Sequence, residues 1–134
     1  MSQLTPDQTE RVVAIAMDLA RAGDTAQLTE FVEHGLPVDI TDAQSNTLLM
    51  LAAYHGHADT VRALLRAGAD PDLPNDRGQV ALAGALFKGE DEVVAALVEA
   101  GADLDAGTPT AREAAAMFGR AQLLGKLPRT LSTD

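Results

Sequence analysis

Residues 56–72 read GHADTVRALLRAGADPD, and residues 89–105 read GEDEVVAALVEAGADLD, so one pattern recurs after 33 positions. Residues 23–39, GDTAQLTEFVEHGLPVD, follow the same pattern more loosely. In each copy the apolar residues are spaced three and four apart, which places them on one face of a helix. A glycine follows each apolar run, where helices commonly end in a left-handed residue. The sequence therefore predicts a repeated helical unit.

A second, shorter helix is expected before each of these helices. The stretch TLLMLAAYHG (47–56) begins with Thr47, a good N-cap, and continues with leucines and alanines that can pack. Aspartates and prolines crowd the connection DPDLPNDRG (70–78), which is typical of a turn-rich loop. Each unit is thus a loop, a short helix, a tight turn and a longer helix. One such unit cannot bury its apolar face alone, so the sequence predicts a solenoid of stacked units.

These features resemble the ankyrin repeat. The pattern of that family runs D-x-x-G-x-T-P-L-H-L-A-A-x-x-G-H, then an apolar helix, then G-A-D-V-N, and residues 42–72 follow it closely. The resemblance implies an all-α solenoid of stacked helix-turn-helix units joined by β-turn loops, with about four repeats including the caps. The expected parts of this single domain, 1–134, are an N-terminal capping repeat at 5–41, a second repeat at 42–74, a third repeat at 75–107, a C-terminal capping repeat at 108–127 and a flexible tail at 128–134.

Both ends of the chain carry signals for terminal units. TPDQ (5–8) is a capping box with proline at the first helical position, which predicts a first helix from Pro6 to about Ala22. The segment between Gly101 and Gly119 is three residues shorter than the one between Gly68 and Gly89, so we expect a stunted last loop. With both ends capped in this way, we expect a complete small protein rather than a fragment of a longer array.

The third repeat departs most from the pattern of the family. Val80 stands where a capping threonine is usual, and losing the cap costs about 1 kcal/mol. Gly84 stands where leucine is usual, which costs roughly 0.5–1 kcal/mol in helix propensity, and Leu86 replaces the usual alanine and could refill the lost volume. Two interpretations remain open, namely drift with compensation and a soft inner face that adapts to a partner.

The composition limits the classes of partner. Twenty Asp and Glu residues against ten Lys and Arg residues give a formal net charge of −10, which repels phosphate backbones and anionic lipids. We therefore expect no nucleic acid and no membrane partner, but a protein with a basic or mixed-charge surface. The N-terminus lacks a basic region followed by a long apolar run, so we expect a cytoplasmic protein. We also expect a monomer. The excess of arginine over lysine and the many alanines hint at a GC-rich bacterial genome.

The stretch AAYHGHADT (52–60) offers His55, His57 and Asp59 as candidate metal ligands. Residues two apart on a turn converge poorly on one ion, and no clear further ligand is present, so we expect scaffold rather than a metal site. The absence of cysteine excludes disulfides, thiolate zinc sites and cysteine nucleophiles. Because no facing pair of carboxylates, serine–histidine pattern or phosphate-binding glycine loop is visible, we expect no catalytic residues, no cofactor and no enzyme activity.

The resemblance implies that the two positions before each turn glycine line a concave surface that binds partners. Three of the four aromatic residues of this chain lie at these positions. Aromatic and methionine side chains anchor interfaces, so we predict that they form an apolar row that binds a partner. The alternative is that some of the rings cover a neighbouring helix and complete the core. The candidate residues are Tyr54, His55, Phe87, Lys88, Met117 and Phe118, joined at the loop tips by Gln44, Asn46, Arg77 and Gln79.

The leading hypothesis for function is a non-catalytic module that binds a partner protein through this concave face. The alternative is an accessory, inhibitor or immunity-type protein that stabilises or regulates one specific enzyme. The order of neighbouring genes would separate the two.

Overall fold

The computed structural model describes residues 4–117 and 119, and this part of the chain is helical, with one isolated β-bridge between Thr41 and Thr47. The helices are α1 (Pro6–Ala22), α2 (Thr25–Glu33), α3 (Leu48–Tyr54), α4 (Ala58–Arg66), α5 (Ala81–Lys88), α6 (Asp91–Glu99) and α7 (Ala111–Met117). They pack in two layers, with α1, α3, α5 and α7 in the first and α2, α4 and α6 in the second. The predicted all-α solenoid of stacked helix pairs is confirmed.

The first helix begins and ends where its sequence signals lie. The Thr5 hydroxyl accepts a hydrogen bond from the Gln8 backbone N–H at 3.1 Å, and the Gln8 side chain accepts one from the Thr5 N–H at 2.9 Å. This reciprocal capping satisfies two backbone donors that have no partner within the helix. At the other end Gly23 adopts a left-handed φ of 74°, which costs glycine little. Local sequence therefore sets both ends of α1.

The short helices of the first layer begin in different ways. The buried Thr47 accepts a hydrogen bond from the Met50 N–H at 3.0 Å and caps α3, as predicted. Val80, which precedes α5, makes no side-chain cap. Thr110 and Glu113 form a second reciprocal capping box at the start of α7, with distances of 2.9 and 3.1 Å. Glu113, at a position where the family has histidine, thus caps the N-terminus of α7.

Aliphatic side chains fill the space between the layers. Leu28, Leu49, Leu82 and Leu97 are among the largest fully buried side chains, and each contributes about 1.5–3 kcal/mol by leaving water. The single aromatic ring of α2, Phe31, is partly buried against this cluster. The core is therefore continuous along the stack and almost free of aromatic rings.

A chain of aspartates, the aspartate ladder, joins the loops that follow the second-layer helices. The carboxylate of Asp39 accepts a hydrogen bond from the backbone N–H of Asp70 at 3.0 Å. In the next unit the Asp72 carboxylate accepts one from the Asp103 N–H at 2.8 Å. Asp70 and Asp103 close their own turns by accepting from the N–H two residues later, that of Asp72 and of Asp105, each at 2.9 Å. The aspartates of these loops therefore do two things. Some close turns within their own loop, and others accept a hydrogen bond from the backbone of the next repeat.

Several predictions lie outside the described residues. These are the contribution of Phe118, the part of the last unit at 120–127 and the tail at 128–134. In residues 4–117, no helix has both the length and the apolar character needed to cross a membrane.

Candidate partner-binding groove

His57 links the second helix pair to the first. Its Nε2–H donates to the carbonyl oxygen of Arg21 at 2.8 Å. The ring also lies over the turn glycine of the first unit, because a Cβ atom added at Gly23 would stand 2.5 Å from its Nδ1 atom. Because Gly23 has no side chain, the His57 ring can pack directly against the backbone at this turn. The geometry supports a scaffold role for this histidine.

His55 lies parallel to His57, with ring centroids 6.5 Å apart and an interplanar angle of 7°. Its Nδ1 atom contacts the Leu51 carbonyl at 2.9 Å, so each ring uses one nitrogen on a backbone carbonyl. Among the described residues, no group of three or more histidine, aspartate or glutamate side chains is arranged to hold a metal ion.

We expect zinc and a strong chelator to leave the thermal midpoint of the protein unchanged. The two rings are oriented by backbone hydrogen bonds that need no ion, whereas metal binding to a native site would stabilise the fold. Differential scanning calorimetry with excess zinc, with chelator and with buffer alone measures this. A chelator-induced loss of several degrees would contradict the prediction.

Tyr54 packs onto the neighbouring helix at the position where the third repeat has glycine. A Cβ atom added at Gly84 would lie only 1.8 Å from the Cε1 atom of Tyr54, so the ring occupies the space that a side chain would take. The volume usually filled by leucine is thus filled from the preceding repeat, while Leu86 is fully buried in the core. Burial of the ring raises the pKa of the Tyr54 phenol by desolvation.

Beside this contact, the first layer carries a groove of about 400 Å³, which we call the apolar groove. The small residues Ala83, Gly84 and Ala114 lie along it, and Tyr54 lines it as well. Small side chains on consecutive helices leave open space between the larger ones that flank them. The groove therefore spans α3, α5 and α7, at the level of the last described units.

Two large apolar side chains of the groove are exposed. Phe87 is 63% exposed and Met117 is 66% exposed, and both line the groove. Lys88 lines it next to Phe87, and Gln79 and Pro109 line it from the loops. The structure thus brings five of the predicted partner-binding residues to one place, as Tyr54 joins Phe87, Lys88, Met117 and Gln79.

Four other predicted contact residues are described and do not line the groove, namely Gln44, Asn46, His55 and Arg77. Asn46 is held by the loop that follows it in the stack, since its Oδ1 atom accepts a hydrogen bond from the Asn75 side chain at 2.9 Å. The Gln79 side chain accepts another hydrogen bond from Asn75, also at 2.9 Å. Gln44 and Arg77 are exposed at the loop tips, and His55 is exposed at the helix turn. Sequence reasoning did not identify Asn75, although asparagine at a turn is a recognised signal for such bonds.

Comparisons with known proteins agree with this architecture. A family model described as ankyrin repeats, with three copies, matches residues 16–108. An ankyrin repeat protein of Pseudomonas aeruginosa is 46% identical over 55 residues, which are 41% of this chain and 32% of that protein. Ankyrin repeat domain-containing protein 29 of Homo sapiens is 47% identical over 55 residues, 40% of this chain and 18% of the relative.

A third relative is oxysterol-binding protein-related protein 1 of Mus musculus, 42% identical over 70 residues, or 51% of this chain and 7% of that protein. The match thus spans about a third or less of the length of these relatives. The likeness concerns the repeats and not the other parts of those proteins.

Proposed function

Because this chain belongs to the ankyrin repeat family, whose repeats generally mediate protein–protein interaction, we propose that it is a non-catalytic module that binds a partner protein in the apolar groove. The observation that carries this proposal is the exposure of Phe87 and Met117 in one groove. Exposed apolar side chains that cluster in this way commonly mark a binding site. Aromatic and methionine side chains are also well suited to anchor a partner.

The distribution of exposed apolar side chains supports this choice of surface. Among the described residues the large exposed hydrophobic side chains are Ile15, Phe87 and Met117, and two of the three line the apolar groove. Ile15 is 49% exposed on α1 and does not line the groove, so it provides a matched control.

We expect the double variant Phe87→Ala/Met117→Ala to lose partner binding and to keep the fold. A central anchor contributes about 2 kcal/mol or more to binding, so two together should change the affinity by on the order of a thousandfold. Their exposed side chains should contribute only a few tenths of a kcal/mol each to folding. The measurement is affinity capture from an extract of the cells that make this protein, followed by titration of the captured partner.

The Ile15→Ala variant should capture the same partner with unchanged affinity. A urea melt of each variant checks that the fold is intact. Capture of the same partner with equal affinity by the double variant would place the interface outside the groove and contradict the proposal.

A further inference from the structure

Lys88 is the one charged side chain that lines the apolar groove in the described part of the chain. It is the last residue of α5 and lies in an exposed position next to Phe87. The other residues along the groove are apolar, apart from Gln79 and the phenol of Tyr54. A single positive charge thus borders a surface that is otherwise neutral.

Among the described residues, Lys88 shares the lack of an ion pair with Arg11, Arg66 and Arg77, but of these only Lys88 lines the apolar groove. Acidic residues outnumber basic ones two to one, and Arg21, Arg62 and Arg112 each pair with an aspartate. Lys88 forms no ion pair within residues 4–117. The carboxylate nearest to it in sequence, Glu90, is directed at the turn of the preceding unit.

The position of Glu90 follows from a close contact with Gly56. A Cβ atom added at Gly56 would stand 2.6 Å from Oε1 of Glu90. Glu90 thus takes the place that His57 takes over Gly23 one repeat earlier. Its carboxylate thus lies over the turn of the preceding unit, and it forms no ion pair with Lys88.

We propose that the partner segment which enters the apolar groove carries a carboxylate beside its apolar anchor, and that Lys88 binds this carboxylate. This inference rests on the proposed function, since it names the chemistry of the partner at the same site. An apolar wall next to the pair excludes water, which strengthens the interaction relative to an open surface. The groove volume of about 400 Å³ is sufficient for one or two large side chains.

The net charge of −10 also restricts the charge of the partner segment. A strongly acidic partner would be repelled at a distance, so the segment has one acidic residue in an otherwise neutral or basic context. A last-turn lysine also complements the dipole of its own helix. Arg66 has that role at the end of α4 without lining the groove, which makes it the matched control.

The experiment is a selection from a random linear peptide library displayed on phage, with the immobilised full chain as bait. The wild type should enrich peptides with an aromatic or large aliphatic residue and an aspartate or glutamate close by. Lys88→Glu should instead enrich peptides with lysine or arginine at that position, and Arg66→Glu should enrich the wild-type set. For the best wild-type peptide, Lys88→Glu should weaken binding at least tenfold, and an acid-to-lysine change in the peptide should restore it.

The outcomes separate this inference from the proposed function. If the selected peptides need Phe87 and Met117 but bind Lys88→Glu as well as wild type, the carboxylate assignment is wrong and the groove remains the binding site. If no peptide is enriched, the inference fails, and affinity capture with the groove variants decides the proposed function separately. If binding of the selected peptides survives Phe87→Ala/Met117→Ala, both the inference and the proposed function fail. Melting curves of Lys88→Glu and Arg66→Glu should agree, which excludes a folding defect as the cause.

Discussion

Removal of residues 110–134 is expected to make the protein aggregate or lose a large part of its helical signal. The last described helix, α7, packs against α5 and buries Ala111, Ala114 and Ala115. Without it, the apolar side chains of α5 next to α7 would face water. Terminal units shield the open end of a repeat stack, and a stack without its cap tends to self-associate. The effect should be larger than that of any single substitution considered above.

Size-exclusion chromatography and far-UV circular dichroism measure this loss. Removal of residues 128–134 alone is the matched control, because the sequence predicts that this segment lies beyond the last repeat. That shorter deletion should leave the elution volume and the helical signal unchanged. A chain ending at residue 109 that stayed monomeric and equally stable would show that the last unit does not act as a cap.

The second large effect concerns the contact between Tyr54 and Gly84. Tyr54→Ala should lower the free energy of unfolding by about 2–3 kcal/mol, somewhat less than truncation of a fully buried ring. Gly84→Ala should also destabilise the wild type, by about 1–3 kcal/mol, because the new Cβ atom would overlap the ring at 1.8 Å. In the Tyr54→Ala background the same substitution should stabilise the protein by roughly 0.5–1 kcal/mol, because alanine favours helix more than glycine does.

A change of sign between the two backgrounds is therefore the expected signature of the contact. Urea melts of the four proteins measure it, and Phe87→Ala, an exposed ring on the same surface, serves as a control that should cost only a few tenths of a kcal/mol. An equal effect of Gly84→Ala in both backgrounds would mean that the ring does not occupy the space over the glycine.

Much of the fold could be predicted from the sequence because its signals are local. The bounds of α1 follow from a capping box and a glycine within one segment, and the period of 33 residues predicts the stacking. The capping box at Thr110 and Glu113 could also have been predicted from its T-x-x-E pattern. The family pattern has histidine at the position of Glu113, so that pattern does not indicate the cap that this glutamate forms.

The groove was harder to predict because it depends on contacts between repeats. The sequence indicates Tyr54 as a binding candidate and Gly84 as a weak point of α5, but the two residues lie 30 positions apart. Only their packing shows that the ring fills the space over the glycine. The same holds for Asn75, whose hydrogen bonds to Asn46 and Gln79 join residues of two loops.

Because of the aspartate ladder, the negative charge of this architecture increases with the number of repeats. In the second repeat one carboxylate, that of Asp70, closes its own turn, and a second, that of Asp72, accepts the backbone N–H of the next repeat. An array lengthened by one more unit of the same kind would bring two further carboxylates with it. Part of the acidity of such a protein therefore scales with the number of its repeats and reflects how they are joined.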